Sequence, residues 1–174
     1  MTNRLEHLFD CAFGENHHTC LQGGAEEPLY LPGEAGEPHT IYYREDYFAS
    51  ALHEVAHWCV AGAERRKQTD YGYWYAADGR SVEQQALFEQ HEIRPQAIEW
   101  VFNQACGRAF SVSADNLELG LGPSDGFKNA IFRQVQDFCQ RGLPDRAARF
   151  VEVLSQHFAV ENPLDSHRYR LRDL

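Results

Sequence analysis

Apolar residues recur along the chain with two periods. Leu5, Leu8, Phe9 and Ala12 fall on one helical stripe, which predicts a short helix over residues 3 to 12, ended by Gly14 and followed by a polar loop to Glu27. The runs Leu29-Tyr30-Leu31 and Thr40-Ile41-Tyr42-Tyr43 lie between Pro28, the Pro32-Gly33 pair, Gly36 and Pro38, so they predict two short strands of a small sheet, paired with each other. Asp46 then precedes an almost wholly apolar stretch from Tyr47 to Ala61, with no Gly or Pro inside it and Gly62 just after. This pattern predicts a central helix buried on all sides, with Asp46 as its N-cap.

The second half reads as helices. Ser81 and Gln84 form a capping-box pair that opens a helix to about Gln90. Pro95 stands where the first turn of the next helix would begin, and Ala97, Ile98, Val101, Phe102 and Ala105 make that helix's apolar stripe as far as Gly107. Two more helices are predicted, from Asp125 to Gln140 with Gly142 as stop, and from Pro144 to Ala159. The charged tail from Pro163 is expected to fray. With no repeat and no linker, the expectation is an α+β fold: one α-rich catalytic domain over residues 1–174, with a small sheet and a buried central helix.

Composition narrows the function classes. Of 174 residues, 43% are hydrophobic, which sets the chain apart from disordered sequences, and the net charge of −10 excludes a module that holds nucleic acid by general positive charge. The first ten residues mix charges with apolar side chains, unlike a secretory signal, and no run approaches the roughly 18 apolar residues of a membrane span. Cys11, Cys20, Cys59, Cys106 and Cys139 are scattered and unpaired in spacing, as expected of free thiols in the cytoplasm.

The chemistry concentrates in the apolar helix. His53-Glu54-Val55-Ala56-His57 is an H-E-x-x-H sequence; four residues turn a helix by about 400°, so the two imidazoles stack on one face while Glu54 points about 100° away. Two histidines inside an apolar helix are costly to bury without a common partner, and a divalent ion is that partner. A third ligand is sought among Glu83, Glu89, His91, Glu92 and Glu99; Glu92, just before Pro95, is the first choice and Glu89 the second. Two imidazoles and one carboxylate suit zinc in a peptidase, with Glu54 as general base, and equally suit Fe(II) in an oxygen-using enzyme. The cluster Tyr71-Gly72-Tyr73-Trp74-Tyr75, ended by Asp78-Gly79-Arg80, reads as core or as a pocket wall.

The order His53-Glu54-Val55-Ala56-His57-Trp58, then Arg65-Arg66, Asp70-Tyr71-Gly72-Tyr73-Trp74-Tyr75 and Asp78-Gly79-Arg80 resembles the bacterial elongation factor P hydroxylase family. The segments from Glu27 to Pro32, Phe88-Glu89, from Glu92 to Ala97, from Asp115 to Glu118 and from Arg146 to Phe150 are similar to the same family in the same order, so the resemblance spans residues 27 to 150. It implies an iron enzyme that hydroxylates the β-lysyl-modified lysine of elongation factor P with molecular oxygen. It also implies His53, His57 and Glu92 as iron ligands and a helical fold like that of a metal-dependent ribonuclease, with zincin-type H-E-x-x-H placement, rather than a double-stranded β-helix. Under this resemblance Glu54 takes a catalytic part. Trp58, Asp70, Tyr73, Trp74 and Tyr75 receive the aliphatic, cationic side chain, and Arg65 and Arg66 face an acidic protein partner.

Overall fold

A computed structural model describes residues 2–70, 79–114 and 122–174. Helix α1 (Thr2–His17) leads into strands β1 (Thr19–Ala25), β2 (Leu29–Leu31) and β3 (His39–Arg44). The sheet order is β1-β3-β2, with β1 parallel and β2 antiparallel to the central β3. Four helices follow: α2 (Phe48–Val60), α3 (Val82–Ala105), α4 (Asp125–Arg141) and α5 (Asp145–Phe158). This is the expected α-rich arrangement on a small sheet. Its centre is aromatic: Phe9 and Phe13 of α1, Trp58 of α2, Phe102 of α3 and Phe150 of α5 meet with ring centroids from 4.9 to 6.0 Å apart.

Five local expectations are corrected. Gly14 does not end α1, which runs on to His17; a helical glycine costs only about 1 kcal/mol, less than the burial of Phe13 returns. The presumed loop after it contains β1, a strand with little propensity of its own that forms because β3 offers a parallel edge and Leu21 is buried. A Cβ on Gly23 would stand 2.8 Å from Glu45 O, and Gly24 has φ of 89°, so the glycine pair that hid this strand is what lets its register shift beside β3. The N-cap of α2 is Tyr47, one residue later than expected, and it makes no side-chain cap bond.

The fourth correction bears on the site. α3 is one unbroken helix of 24 residues with Pro95 inside it. Its start carries the full capping box of Ser81 and Gln84, and its second half is buried almost continuously, which together outweigh the roughly 3 kcal/mol cost of an interior proline. The fifth concerns the tail, which does not fray. Tyr169 is 3% exposed, lies edge-on to Trp100 at 5.1 Å and donates to Pro163 O at 2.5 Å. Leu164 and Leu174 also pack on the core.

Candidate metal centre

α2 and α3 cross with two polar faces turned to each other. On α2, His53 and His57 are one turn apart, as the four-residue spacing requires. On α3, Glu92, Gln96, Glu99 and Asn103 occupy a single face at intervals of four, three and four residues. All four are buried.

The donor atoms converge. His57 Nε2 lies 3.0 Å from His53 Nε2 and 3.1 Å from Glu92 Oε1, and His53 Nε2 lies 3.6 Å from Glu92 Oε2. One ligand atom each from His53, His57 and Glu92 falls within 4.8 Å of the others. That spacing and donor set fit a divalent ion with open positions.

The surrounding bonds orient these donors. Glu99 Oε2 accepts from His53 Nδ1 at 2.8 Å, turning Nε2 inward. Gln96 Nε2 donates to Glu92 Oε2 at 3.2 Å and to Ser113 O at 2.5 Å, and Gln96 Oε1 accepts from Ser113 N at 3.1 Å, so this amide is held at both ends. Asn103 Nδ2 donates to Glu99 O at 3.0 Å.

Electrostatics express the same demand for positive charge. Burial opposes a charge on His53, but Glu99, Glu92 and Glu54 outweigh it and raise its pKa from 6.5 to about 10. Burial would push Glu92 up, yet His57, His53 and Gln96 hold it down at about 2. Glu54 is raised by burial, with His53 and His57 opposing and Glu92 and Glu99 adding to the rise.

Two cavities flank the donors and share Glu54. One is narrow and is walled by Tyr30, Ile41, His57, Trp58, Arg66 and Asp70 among others. The other is wider, adjoins His53 and Glu99, and includes Glu26, Glu27 and Arg44 in its wall.

The remaining expected residues divide. Trp58 lines the first cavity but is chiefly core, 4% exposed, with Phe13 edge-on at 4.9 Å; its Nε1 has no hydrogen-bond partner among the described residues. Asp70 lines the same cavity, pairs with Arg65 and bridges to Tyr30 of β2. Glu89 is directed elsewhere: it accepts from Ser124 Oγ at 2.6 Å and Ser124 N at 3.2 Å, fastening the N-cap of α4. Tyr73, Trp74, Tyr75 and Asp115 lie outside the described residues. Glu99, one of the candidate third donors, accepts from His53 Nδ1 and lies outside the converging group, and Gln96, Asn103 and Ser113 add to the expected set. The signal for Gln96 and Asn103 is the face of α3 that they share with Glu99, which Glu92 joins only when Pro95 is allowed inside the helix; Ser113 lies beyond α3.

The sequence model of the elongation factor P hydroxylase family matches residues 8–169. The chain is also 41% identical over 173 residues to the elongation factor P lysine hydroxylase of Haemophilus influenzae, covering 97% of each chain.

Proposed function

The chain belongs to the elongation factor P hydroxylase family, an enzyme family that hydroxylates lysine, and on that footing we propose that it hydroxylates a lysine side chain of elongation factor P at an iron ion held by His53, His57 and Glu92. The observation that carries the reading is the convergence of those three donors inside a chain matched almost end to end by a lysine hydroxylase. Family membership favours hydroxylation over zinc-dependent peptide cleavage, which the H-E-x-x-H spacing alone left open.

When bound, Fe(II) supplies the redox chemistry that lets molecular oxygen attack an unactivated C–H bond. The residues do the rest. Glu99 holds the His53 ring with Nε2 toward the ion, and Gln96 does the same for the Glu92 carboxylate. Trp58 and Ile41 offer the aliphatic part of the lysine an apolar wall, and Asp70, whose carboxylate also pairs with Arg65, is an acidic group of the same wall for its ammonium end. Tyr73, Trp74 and Tyr75 follow Asp70 in the sequence and are proposed to extend that aromatic contact. Glu54 lies between the two cavities and, with its raised pKa, can hold a proton close to the reacting side chain. The β-lysyl group that the resemblance implies on this lysine finds Glu26, Glu27 and Glu54 in the wall of the larger cavity, acidic groups suited to its amines.

Among the described residues no helix is long and apolar enough to cross a membrane, and all five cysteines are free, which supports a cytoplasmic place of action. The decisive experiment loads the protein with Fe(II), adds β-lysylated elongation factor P, oxygen and a two-electron reductant such as ascorbate, whose electrons carry the second oxygen atom to water, and weighs the product. A gain of one oxygen atom on the lysine is expected. No gain, from protein shown to retain iron, overturns the proposal.

A further inference from the structure

The chain carries a net charge of −10, yet arginines gather at the C-terminal end of α2. Arg66 Nη1 and Arg146 Nη2 both donate to Ala61 O, each at 2.6 Å, and Arg146 Nη2 also reaches Cys59 O at 3.0 Å. The Arg146 guanidinium rests on the Trp58 ring at 4.6 Å. Two cations therefore share one carbonyl. Neither is in an ion pair among the described residues, whereas Arg65 is paired with Asp70, Lys67 with Glu64 and Arg149 with Glu152. A helix C-terminus supplies only about half a negative charge, too little for both. Burial and then Arg66 lower the Arg146 pKa, and burial followed by Arg146 and Arg66 lowers that of His17, as an excess of local positive charge requires.

These groups border an open cleft between α1, α2 and α5. His17, Arg66, Arg146 and Arg149 are in its wall, and Asp145 is the carboxylate among its lining residues. A guanidinium carries more N–H donors than these carbonyl bonds use, and the spare ones suit carboxylates in paired geometry. Arg66 also lines the cavity beside His57, so the cleft and the metal centre adjoin.

We propose that this arginine cleft docks an acidic surface of the protein substrate and so sets the target lysine at the mouth of the His57 cavity. The proposal rests on the preceding reading that the substrate is a protein. A polynucleotide is disfavoured, because the rest of the molecule repels a long polyanion while the cleft is local. Of the two arginines expected to meet an acidic partner, Arg65 is occupied by Asp70, and the structure puts Arg146 and Arg149 beside Arg66 instead.

Calorimetric titration of the metal-loaded protein with elongation factor P at low and high salt tests this. Arg149→Glu is expected to weaken binding about tenfold and Arg66→Gln several-fold, both with a shallower salt dependence, while Arg133→Glu on the exposed face of α4 leaves affinity unchanged. Arg149 is half exposed and bonded to Glu152, so its variant carries the test if Arg66→Gln fails to fold. Unaltered affinity in Arg149→Glu, or affinity insensitive to salt, overturns the proposal. A glutamate-rich peptide is the second probe. If wild-type protein binds it and Arg149→Glu does not, the cleft stands even should hydroxylation fail; if hydroxylation succeeds but the peptide does not bind, or a duplex RNA binds in its place, the docking site is refuted and the enzyme reading survives.

Discussion

Glu99 Oε2 sits 2.8 Å from His53 Nδ1, on the side of the ring away from His57 and Glu92. The carboxylate fixes which imidazole nitrogen faces the other donors and makes that nitrogen more basic. Glu99→Gln keeps the volume but loses the charge. Metal affinity is expected to fall by about 10–100-fold while the fold persists, read by competition with a metal chelator and by circular dichroism. An unchanged metal affinity would show that the bond is only structural.

The donor set itself is tested by metal content. His53→Ala and His57→Ala should abolish retention after gel filtration, and Glu92→Ala should weaken it strongly. Glu89→Ala should retain metal but lose about 1 kcal/mol of stability, because Glu89 secures the N-cap Ser124 of α4. Loss of metal in Glu89→Ala with retention in Glu92→Ala would reverse the assignment.

Glu54→Gln separates assembly from reaction. Its carboxylate lies in both cavity walls and outside the group of converging donors, so iron should stay bound while turnover of the lysine is lost or greatly slowed. Mass spectrometry of product beside metal analysis of the same sample reads both.

The metal-free protein should lose stability at both ends of the pH scale. His53 is raised from 6.5 to about 10, so the stability that its charged form contributes is complete below 6.5 and is lost as pH climbs toward 10. Glu92 is lowered from 4.5 to about 2, so its share is complete above 4.5 and disappears as pH falls toward 2. Protons and metal also compete at His53, which makes metal affinity rise with pH between 6.5 and 10. Thermal unfolding and metal titration across that range provide the check.

Tyr169→Ala should cost about 3–5 kcal/mol in chemical denaturation, because the ring fills a place against Trp100 and its hydroxyl bonds Pro163 O. A loss below about 0.5 kcal/mol would mean that the tail contributes little to the fold.

Much of this architecture was legible in residue order. The H-E-x-x-H helix, the Ser81–Gln84 cap, the strands flanking Pro32-Gly33 and the last two helices all rest on local patterns whose physics is local too. What escaped depends on partners distant in sequence. β1 has two glycines and gains its strand character from β3, and the tail is ordered by Trp100, far upstream. The break expected at Pro95 had the larger effect on the site: with two helices, Glu92 and Glu99 share no face, and the bond from Glu99 to His53 cannot be foreseen. Glu92 was nevertheless preferred over Glu89 from position, and the structure brings it to His53 and His57.

Because His53, His57, Glu92, Gln96 and Glu99 all belong to α2 and α3, the geometry of the centre is set by the phase of two helices rather than by loops. A single residue inserted between Glu92 and Glu99 would turn everything beyond it by about 100° and carry Glu99 off the shared face, while leaving composition and helix length nearly the same. Change along this stretch is therefore constrained to substitution: the centre tolerates a different side chain at the outward positions between these residues far more readily than it tolerates a change in their number.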